Sequence, residues 1–416
     1  MYKTIKKCRI CKHNNLKSVL DLESQPPANS LYLKGDDPAV EVALRLLYCH
    51  NCSTVQLGED VNPNYLFNNY LWVSGTASGA EKYSYQFVKK ALKKIEGLSS
   101  EKPYVIEIAS NDGTFLKRFI DSNCKVLGID PAKNIAELAN NNGIPTIAEF
   151  FTLDLANELI GKDGKADMIF ARNVIPHVKE IHSVIAGISA LLKNNGVGII
   201  EFHNANLILE EVQYDYIYHE HLFYFTLKTM SDLLERHGLF CYDLSSSPIS
   251  GGSWVVYFSK NKKLKSKKIL ELEAKELHSE INSYDHWLLF SENVKKHAEK
   301  LKKLVNDNDN KIIAYGASAR SSTLLNFCGI NSDQISVIID KNPLKQGLLT
   351  AGSNIPIVSL EDCKEELKSA TKILLLAWNF KEEIIDELKS LGFTGEFIIP
   401  LPGDPRIIST IDKIDS

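Results

Sequence analysis

The feature that most constrains the fold is a run of alternating elements between Tyr104 and Asp130. Residues 104–109 are almost all apolar, which is typical of a buried strand, and the polar loop after them contains Gly113. An amphipathic helix is predicted to begin near Phe115, and a second strand ends in Asp130. A strand, a glycine loop, a helix and a strand that ends in an acid form the first half of a doubly wound nucleotide-binding fold. We therefore predict an α/β fold in which Asp130 binds two ribose hydroxyls.

The loop after the first strand discriminates between nucleotide cofactors. It lacks the three glycines that let a pyrophosphate approach the backbone of dinucleotide-binding proteins. Instead, Glu107, Asn111 and Asp112 lie in or beside it. Carboxylates there repel a diphosphate but tolerate a cationic sulfonium and its ammonium group, because opposite charges attract. The loop therefore favours S-adenosylmethionine over NAD.

Further strands are predicted at 166–171 and 196–202, which continues the alternation of strands and helices. Between them, Asn173 and His177 follow the carboxyl end of a strand, where open α/β sheets bind their ligands. His177 is therefore a candidate for the active site. The alternative is a structural histidine whose hydrogen bonds are satisfied.

A second copy of the same pattern is predicted nearer the carboxyl end. Residues 311–320 read as a strand followed by a glycine turn, and residues 335–340 read as a strand that ends in an acid. A second Rossmann-like domain is therefore expected. A lysine-rich stretch, 260–268, precedes it and leads into helical periodicity through roughly Val305. We interpret these lysines as a solvated linker and helix face, with phosphate binding as the alternative.

Two Cys-x-x-Cys hooks near the amino terminus predict a metal site. Cys8 and Cys11 form the first hook, and Cys49 and Cys52 form the second. Two such hooks can close a tetrahedral cage of thiolates around zinc, which leaves no position open for a catalytic water. We expect a structural zinc site, with redox thiols or a vestigial site as alternatives. The basic and aromatic surface that would support nucleic acid binding by a zinc ribbon is not evident in the sequence.

Composition and charge limit the remaining classes of protein. The chain has 416 residues, of which 44% are hydrophobic and 24% charged, so two or three globular domains are expected. Its formal net charge of -4 argues against nucleic acid or anionic lipid as a partner. The first residues lack the apolar core of a signal peptide, and no apolar run reaches membrane-spanning length. We expect a cytoplasmic protein that is a monomer or a weak homo-oligomer.

An aromatic and glycine-rich segment, 69–79, lies between the zinc hooks and the first predicted strand. Its composition does not favour a regular core element. Tyr70 and Trp72 fit a loop that covers a bound ligand, and they fit equally well a packing contact between two domains. The sequence leaves both interpretations open.

Proton-transfer groups are concentrated in Tyr218-His219-Glu220-His221. Histidine titrates near neutral pH, a glutamate can orient it, and a tyrosine can hold a developing oxyanion. The alternative is a half-buried strand whose polar groups are satisfied by neighbours or solvent. Adjacent side chains of an extended segment face opposite sides, so we expect His219 to point away and to be a bystander.

Taken in order, these motifs resemble the S-adenosylmethionine-dependent sugar C-methyltransferases that act on nucleotide-linked 4-keto-6-deoxysugars. The resemblance covers nearly the whole chain. The matching parts are the two Cys-x-x-Cys hooks, residues 107–116, residues 128–132, Asn173-Val174, His177-Val178, Tyr218-His219-Glu220-His221, and residues 251–253, 315–317 and 340–347.

The resemblance implies a chemical mechanism. A base removes the proton on C3 beside the C4 ketone, and the carbon of the resulting enolate takes the methyl group. His221 is the expected base, with Tyr218 and Glu220 beside it and His177 near the sugar. A positively charged His177 or the Tyr218 hydroxyl could hold the enolate oxygen.

The resemblance also implies domains and binding residues. A zinc-binding module is expected at 1–70, a class I methyltransferase domain at 71–245, and a Rossmann-like domain that helps to bind the nucleotide-sugar at 246–416. The residues expected to bind S-adenosylmethionine are Glu107, Ala109, Asn111, Asp112, Asp130 and Asn173. The residues expected to bind the nucleotide-sugar are Tyr70, Trp72, Ser250, Gly251, Gly252, Ser253, Gly316, Ala317 and Arg320, with diphosphate contacts from backbone N–H groups after Gly316.

Three departures from the family pattern fall where the sugar or nucleotide should be recognised. Ser250 stands where a histidine often precedes Gly-Gly-Ser, and the apolar residues 254–256 stand where a basic residue often follows. Arg320 and Ser321 replace the Lys-Gly that often ends the glycine turn. We expect C-methylation in branched deoxysugar biosynthesis, with a sugar O- or N-methyltransferase and a catalytically inactive zinc-ribbon interaction protein as alternatives.

Overall fold

The computed structural model describes residues 2–37, 39–62, 66, 78–97, 102–247, 252–306 and 312–409. The predicted substrate-binding residues Tyr70, Trp72, Ser250 and Gly251 lie outside these ranges. Within the ranges, no helix combines the length and the apolar character needed to cross a membrane.

The amino-terminal module is built from short antiparallel strands. They are β1 (Tyr2–Thr4), β2 (Leu16–Gln25), β3 (Val42–Cys49), β4 (Val55–Leu57) and β5 (Glu59–Val61). β1 pairs with β5, while β2, β3 and β4 are neighbours in one sheet. Val42, Leu44 and Leu46 are buried and alternate with more exposed residues, so one face of β3 packs into the core.

The central domain is a doubly wound sheet with helices on its faces. Its strands are β6 (Tyr104–Ile108), β7 (Lys125–Ile129), β8 (Thr146–Ile147), β9 (Ala166–Arg172), β10 (Leu192–His203), β12 (Phe240–Ser247) and β13 (Ser253–Ser259), with β11 (Phe223–Tyr224) set apart from them. Its helices are α1 (Ser78–Ile95), α2 (Thr114–Asp121), α3 (Lys133–Asn141), α4 (Leu153–Asp163), α5 (Ile181–Leu191), α6 (Ala205–Glu210) and α7 (Leu227–Glu235).

The strand order confirms the predicted class I methyltransferase fold. The order is β12-β13-β10-β9-β6-β7-β8, and β13 runs antiparallel to both of its neighbours while the other pairs are parallel. Every residue of β6 is buried, as expected for a strand covered by helices on both faces. The hairpin of β12 and β13 crosses the domain boundary predicted at 245–246 and extends the central sheet as far as Ser259.

The carboxyl-terminal domain repeats the Rossmann-like pattern. Its strands are β14 (Ile312–Tyr315), β15 (Ile335–Ile339), β16 (Ile357–Val358), β17 (Lys372–Leu375), β18 (Glu396–Ile399) and β19 (Arg406–Ser409). Its helices, with those leading into it, are α8 (Lys267–His278), α9 (Tyr284–Asn306), α10 (Ala319–Cys328), α11 (Lys364–Ser369) and α12 (Lys381–Ser390). The order β16-β15-β14-β17-β18 is parallel, and β19 closes it antiparallel.

Pairing between two strands joins the amino-terminal module to the central domain. β11 pairs with β4, so that Phe223 lies opposite Gln56 and Tyr224 opposite Val55. Because β11 follows His221 by only one residue, the edge of the zinc-module sheet lies directly beside the predicted catalytic motif.

Candidate active site and zinc centre

The cysteines of the two hooks converge in the amino-terminal module. Their sulfur atoms all lie within 4.8 Å of one another, with 3.7 Å between Cys8 and Cys52 and 3.5 Å between Cys11 and Cys49. Thiolates bound to zinc at about 2.3 Å in a tetrahedron stand about 3.8 Å apart, so these positions fit the ion. The Gln56 amide donates a hydrogen bond to Cys8 Sγ over 3.1 Å and orients that ligand. The module therefore holds a closed, structural zinc site.

Acceptors without partners gather at the carboxyl ends of β6 and β9. Glu107 Oε2, Ser110 Oγ and Asn173 Oδ1 are buried and have no hydrogen-bond partner among the described residues. Burial raises the pKa of Glu107 well above its usual range, and the carboxylates of Asp112 and Asp130 act in the same direction. A cationic ligand would satisfy such acceptors and favour the charged carboxylate. The sulfonium and ammonium groups of S-adenosylmethionine fit this environment.

Asp130 fixes the loop that follows β6. Its Oδ2 accepts a hydrogen bond from the Asn111 N–H over 2.9 Å, and its Oδ1 accepts one from the Ala132 N–H over 3.0 Å. A carboxylate offers about four lone-pair sites, so capacity remains for the ribose hydroxyls. Ala109 and Asn111 have φ values of 55° and 50°, which give the loop a tight left-handed path.

Asp112 has a structural contact besides its expected role in cofactor binding. Its Oδ1 accepts hydrogen bonds from the Thr114 N–H over 3.2 Å and from Thr114 Oγ1 over 2.7 Å. These bonds satisfy an N–H group in the first turn of α2, where a negative charge also complements the helix dipole.

Tyr218-His219-Glu220-His221 forms a turn, so the expected extended geometry is wrong. The His221 N–H donates to the Tyr218 carbonyl over 2.9 Å, which closes the turn. Its two middle residues face the amino-terminal module. His219 Nε2 donates to the Val42 carbonyl over 3.1 Å, and Glu220 Oε1 accepts from Asn29 Nδ2 over 2.5 Å. The carboxylate expected beside His221 is therefore bonded to the zinc module instead.

His221 lies at the centre of a cluster of rings. Its ring centroid is 4.0 Å from that of Tyr218, 4.6 Å from that of Tyr216 and 4.7 Å from that of His177. His177 ends the short 3-10 helix Ile175–His177, which follows β9. The two segments are tied together because the Leu222 N–H donates to the Pro176 carbonyl over 2.8 Å.

A hydrogen bond fixes the tautomer of His221. Its Nδ1 lies 2.8 Å from the Tyr216 carbonyl oxygen, and a carbonyl can only accept. Nδ1 must therefore carry the proton, which leaves the lone pair of the neutral ring on Nε2. Burial lowers the pKa of His221 well below its usual range, and His177 and Arg320 act in the same direction. The imidazole is thus neutral near pH 7 and can accept a proton at Nε2.

His177 is held in its neutral form as well. Burial lowers its pKa to about 4, although contacts with the backbone of Glu220 and Asn173 partly oppose this. A positively charged His177 that stabilises an enolate, one of the sequence-based possibilities, is therefore disfavoured near neutral pH. A neutral imidazole can still donate one hydrogen bond.

Sequence reasoning missed two rings beside this cluster. Tyr216 lies 4.6 Å from His221, and His203 stacks on Tyr216 with a centroid distance of 3.5 Å and an interplanar angle of 16°. His203 is the last residue of β10. Ligands of open α/β sheets bind at the carboxyl ends of strands, and this rule had already singled out His177 after β9. Applying the same rule to the next strand would have identified His203. Nothing in the sequence indicates that Tyr216 would stack against it.

The buried position of Glu220 in this turn predicts how its ionisation affects the stability of the protein. Burial raises the pKa of Glu220 to about 7, while the hydrogen bond from Asn29 opposes the rise. The stability that this protonated group contributes is present below its ordinary value of 4.5 and is lost as the pH rises through about 7. Glu220→Gln keeps an acceptor for Asn29 but cannot ionise. At pH 8 we expect the variant to unfold at a higher temperature, with a gain of at most about 3 kcal/mol that shrinks towards pH 4.5.

Melting curves of wild type and variant over this pH range check the prediction. Glu299→Gln, on the exposed face of α9, is the matched control and should show no such pH-dependent difference. Equal melting temperatures for the Glu220→Gln variant and wild type at every pH would show that Glu220 ionises without cost.

Two of the predicted sugar-binding residues are described at the start of β13. Gly252 has a φ of 114°, and a Cβ placed on it would lie 2.5 Å from Leu207 Cδ1, so glycine is required there. Ser253 is buried and pairs in register with His203 across β10 and β13. This end of the sheet therefore lies beside the ring cluster.

The glycine turn of the carboxyl-terminal domain is engaged within the protein. Gly316 has a φ of 99°, and an added Cβ would lie 2.5 Å from Ala377 Cβ, which accounts for the glycine. The Ala317 N–H, one of the expected diphosphate donors, donates to Asp340 Oδ2 over 2.8 Å. The Ser321 N–H donates to Ser318 Oγ over 3.2 Å. At least two N–H groups of this turn thus have acceptors already.

Arg320 joins the carboxyl-terminal domain to the segment before the turn at 218–221. Its Nε and Nη2 donate to the two carboxylate oxygens of Asp215 over 3.0 Å and 3.1 Å. Trp378 Nε1 donates to the same carboxylate over 2.9 Å. The guanidinium also lies over the Tyr216 ring, 4.9 Å from its centroid. Arg320 is therefore paired with an internal carboxylate, and its contact with the nucleotide-sugar stays a prediction.

Comparison with known proteins gives a consistent assignment along the chain. Family models match a zinc binding domain at residues 8–67, a methyltransferase domain at 80–243 and a C-methyltransferase C-terminal domain at 248–402. The curated C-methyltransferase NovU of Streptomyces niveus is 33% identical over 413 residues, which cover 97% of this chain and 97% of that protein.

Solved methyltransferases resemble part of the chain. Magnesium protoporphyrin IX methyltransferase of Synechocystis PCC 6803 with bound SAM has 13% identity and a TM-score of 0.34, covering 44% of this chain and 80% of that one. The 1,6-didemethyltoxoflavin-N1-methyltransferase of Burkholderia thailandensis has 18% identity and a TM-score of 0.34, covering 48% and 85%. Because the three domain models follow in order and NovU matches over nearly the whole length, the chain belongs to the family of S-adenosylmethionine-dependent C-methyltransferases with a zinc-binding amino-terminal domain.

Proposed function

We propose that the enzyme methylates C3 of a nucleotide-linked 4-keto-6-deoxysugar through an enolate, in the biosynthesis of a branched deoxysugar. The observation that carries this proposal is the His221 imidazole, whose Nδ1 proton is held by the Tyr216 carbonyl over 2.8 Å and whose Nε2 is left as a base. A carbon next to a ketone becomes a nucleophile only when such a base removes its proton. The similarity to NovU, a C-methyltransferase, supports carbon as the acceptor.

The residues of the turn have distinct roles in this proposal. His221 Nε2 takes the C3 proton, the C–H bonding electrons enter the enolate, and negative charge collects on the C4 oxygen. The Tyr218 hydroxyl donates a hydrogen bond to that oxygen, since its ring lies 4.0 Å from the base. The neutral His177 imidazole lies 4.7 Å from His221 on another side and contacts the sugar. The proton on His221 then passes to solvent after product release.

The methyl donor and the nucleotide occupy the flanks of this centre. When bound, S-adenosylmethionine supplies the electrophilic methyl group that the enolate carbon accepts. Glu107, Asn173 and Asp130 would hold it, because they offer buried acceptors and a ribose-binding acid at the ends of neighbouring strands. The nucleotide lies towards the carboxyl-terminal domain. The contact between Arg320 and Asp215 supports this placement, because it brings α10 against the segment that leads into the catalytic turn.

Hydrogen exchange tests whether an enolate forms. Wild-type enzyme is incubated in deuterium oxide with S-adenosylhomocysteine and thymidine-, cytidine- or guanosine-linked 4-keto-6-deoxysugars. Because no methyl group can be transferred, enolisation appears as replacement of the C3 hydrogen by deuterium. Complete retention of that hydrogen, together with an O-methylated or N-methylated product when S-adenosylmethionine is supplied, would rule out the proposal.

A further inference from the structure

His203 and His221 pack on the ring of Tyr216. The centroid distances to Tyr216 are 3.5 Å for His203 and 4.6 Å for His221, and both pairs are stacked, with interplanar angles of 16° and 29°. Two imidazoles stacked this closely cannot share one face of a phenol ring, so they lie on opposite faces. Tyr216 thus separates His203 from the proposed base.

The ring nitrogens of His203 make no hydrogen bond within the described part of the protein. The side chain is only 5% exposed, yet neither Nδ1 nor Nε2 has a partner at hydrogen-bonding geometry among the described residues. Burial lowers the pKa of His203 well below its usual range and the charge of Arg320 adds to this, against weaker effects of Gln213 and the Gly252 backbone. A buried polar group without a partner costs free energy, which a bound ligand would recover.

We propose that His203 binds an uncharged hydroxyl group of the substrate and is a specificity-determining residue of this enzyme. The inference rests on the proposed function, because a nucleotide-sugar supplies such hydroxyls from its hexose and from its ribose. His203 is not a second base in this scheme, since the Tyr216 ring stands between it and His221, the proposed base.

The surroundings of His203 favour a neutral group over an anion. A neutral imidazole presents one donor and one acceptor, which matches a hydroxyl that can both accept and donate. Arg320 is close, but its guanidinium donates to the Asp215 carboxylate over 3.0 Å and 3.1 Å. The negative charge of Asp215 offsets the positive charge of Arg320. A phosphate at His203 would therefore meet little net positive charge and a nearby carboxylate.

The position of His203 also places it at the predicted sugar-binding stretch. Its backbone pairs in register with Ser253, the first residue of β13, and the backbone of Gly252 stands close enough to influence its ring. A hydroxyl bound there would be fixed from the end of the central sheet, while the reacting carbon is fixed from the turn that carries His221.

Three variants separate the polar role of His203 from its packing role. His203→Phe keeps a ring on Tyr216 and removes both nitrogens, whereas His203→Asn and His203→Gln restore a donor and an acceptor near the positions of Nδ1 and Nε2. Calorimetry measures binding of each ketosugar in the presence of S-adenosylhomocysteine. We expect His203→Phe to weaken binding by about 10-fold to 100-fold, the cost of an unpaired polar group, with partial rescue by Asn or Gln.

Substrates that lack one hydroxyl identify its source. The 2-deoxy form of the ketosugar tests the hexose, and uridine- against 2′-deoxyuridine-linked forms test the ribose 2′-hydroxyl. For the analogue that lacks the bound hydroxyl, His203→Phe and wild type should bind equally. Equal binding of every ketosugar by wild type and by folded His203→Phe would overturn the inference alone, and failure of wild type to bind any ketosugar would overturn the proposed function and the inference together.

Discussion

Replacing His221 with alanine is expected to lower turnover by a factor of about 10² or more, the usual scale for the loss of a general base. His221 Nδ1 donates to the Tyr216 carbonyl over 2.8 Å, so the lone pair that accepts a proton lies on its Nε2. Deuterium exchange at C3 should disappear in parallel, since it needs the same base. Binding of S-adenosylhomocysteine, measured by calorimetry, should stay close to wild type.

His219→Ala is the matched control for this variant. His219 is as buried as His221, but its Nε2 faces the Val42 carbonyl of the zinc module over 3.1 Å. We expect His219→Ala to lower the melting temperature while turnover of the folded enzyme changes by only a few fold. Wild-type turnover in His221→Ala would remove His221 from the mechanism.

The pH profile gives a second measurement of the base. The pKa of His221 lies well below the ordinary value of 6.5, so the imidazole stays neutral until the pH falls well below that value. The acid limb of kcat/KM should therefore lie below pH 6.5. Between pH 8 and pH 6.5, protonation of His221 should not lower the activity. Below about pH 6.5 the unfolded chain binds protons at His177, His203 and His221 that the folded chain does not, so stability falls as well. Melting temperatures at each pH separate the two effects.

Cys11→Ser is expected to have the largest effect on stability. It removes one of the zinc ligands, and structural zinc contributes several kcal/mol or more to folding in small metal-bound modules. We expect loss of zinc, lower solubility and a melting temperature lower by on the order of 10 °C. Turnover should fall in proportion to the folded fraction, because a cage of four thiolates leaves no coordination position on zinc for substrate or water.

Cys124→Ser serves as the control for loss of a buried thiol. Cys124 is 5% exposed and lies outside the zinc cluster, so this variant should keep its zinc and most of its stability. Zinc content and melting temperature are measured for both variants. A well-folded, metal-free and fully active Cys11→Ser enzyme would contradict the structural role of the metal.

Local patterns predicted the fold well because their causes lie within short stretches of chain. The apolar run at 104–109, the acid at Asp130 and the two cysteine hooks each depend on neighbouring residues, and the structure confirms the doubly wound fold and the convergence of the cysteines. The second domain followed from the same pattern at 311–340.

Contacts between distant residues were beyond the reach of such patterns. Glu220 bonds to Asn29 across 191 positions of sequence, and Arg320 bonds to Asp215 across 105. Both partners are ordinary polar residues with no periodic signal. A local hydrogen bond between His221 and Tyr218 closes the turn at 218–221. The directions of its two middle side chains, however, depend on hydrogen-bond partners in the distant amino-terminal module. Roles that depend on such pairings need the tertiary structure.

The pairing of β11 with β4 limits how this enzyme can be recombined with its relatives. An amino-terminal module taken from another family member would bring its own β4 to a β11 shaped by this chain, where Phe223 faces Gln56 and Tyr224 faces Val55. Gln56 also donates a hydrogen bond to the zinc ligand Cys8, so a mismatch would disturb the metal site and the turn at 218–221 together. A working chimera must therefore exchange residues 219–224 along with the module, although some 160 residues of chain separate them.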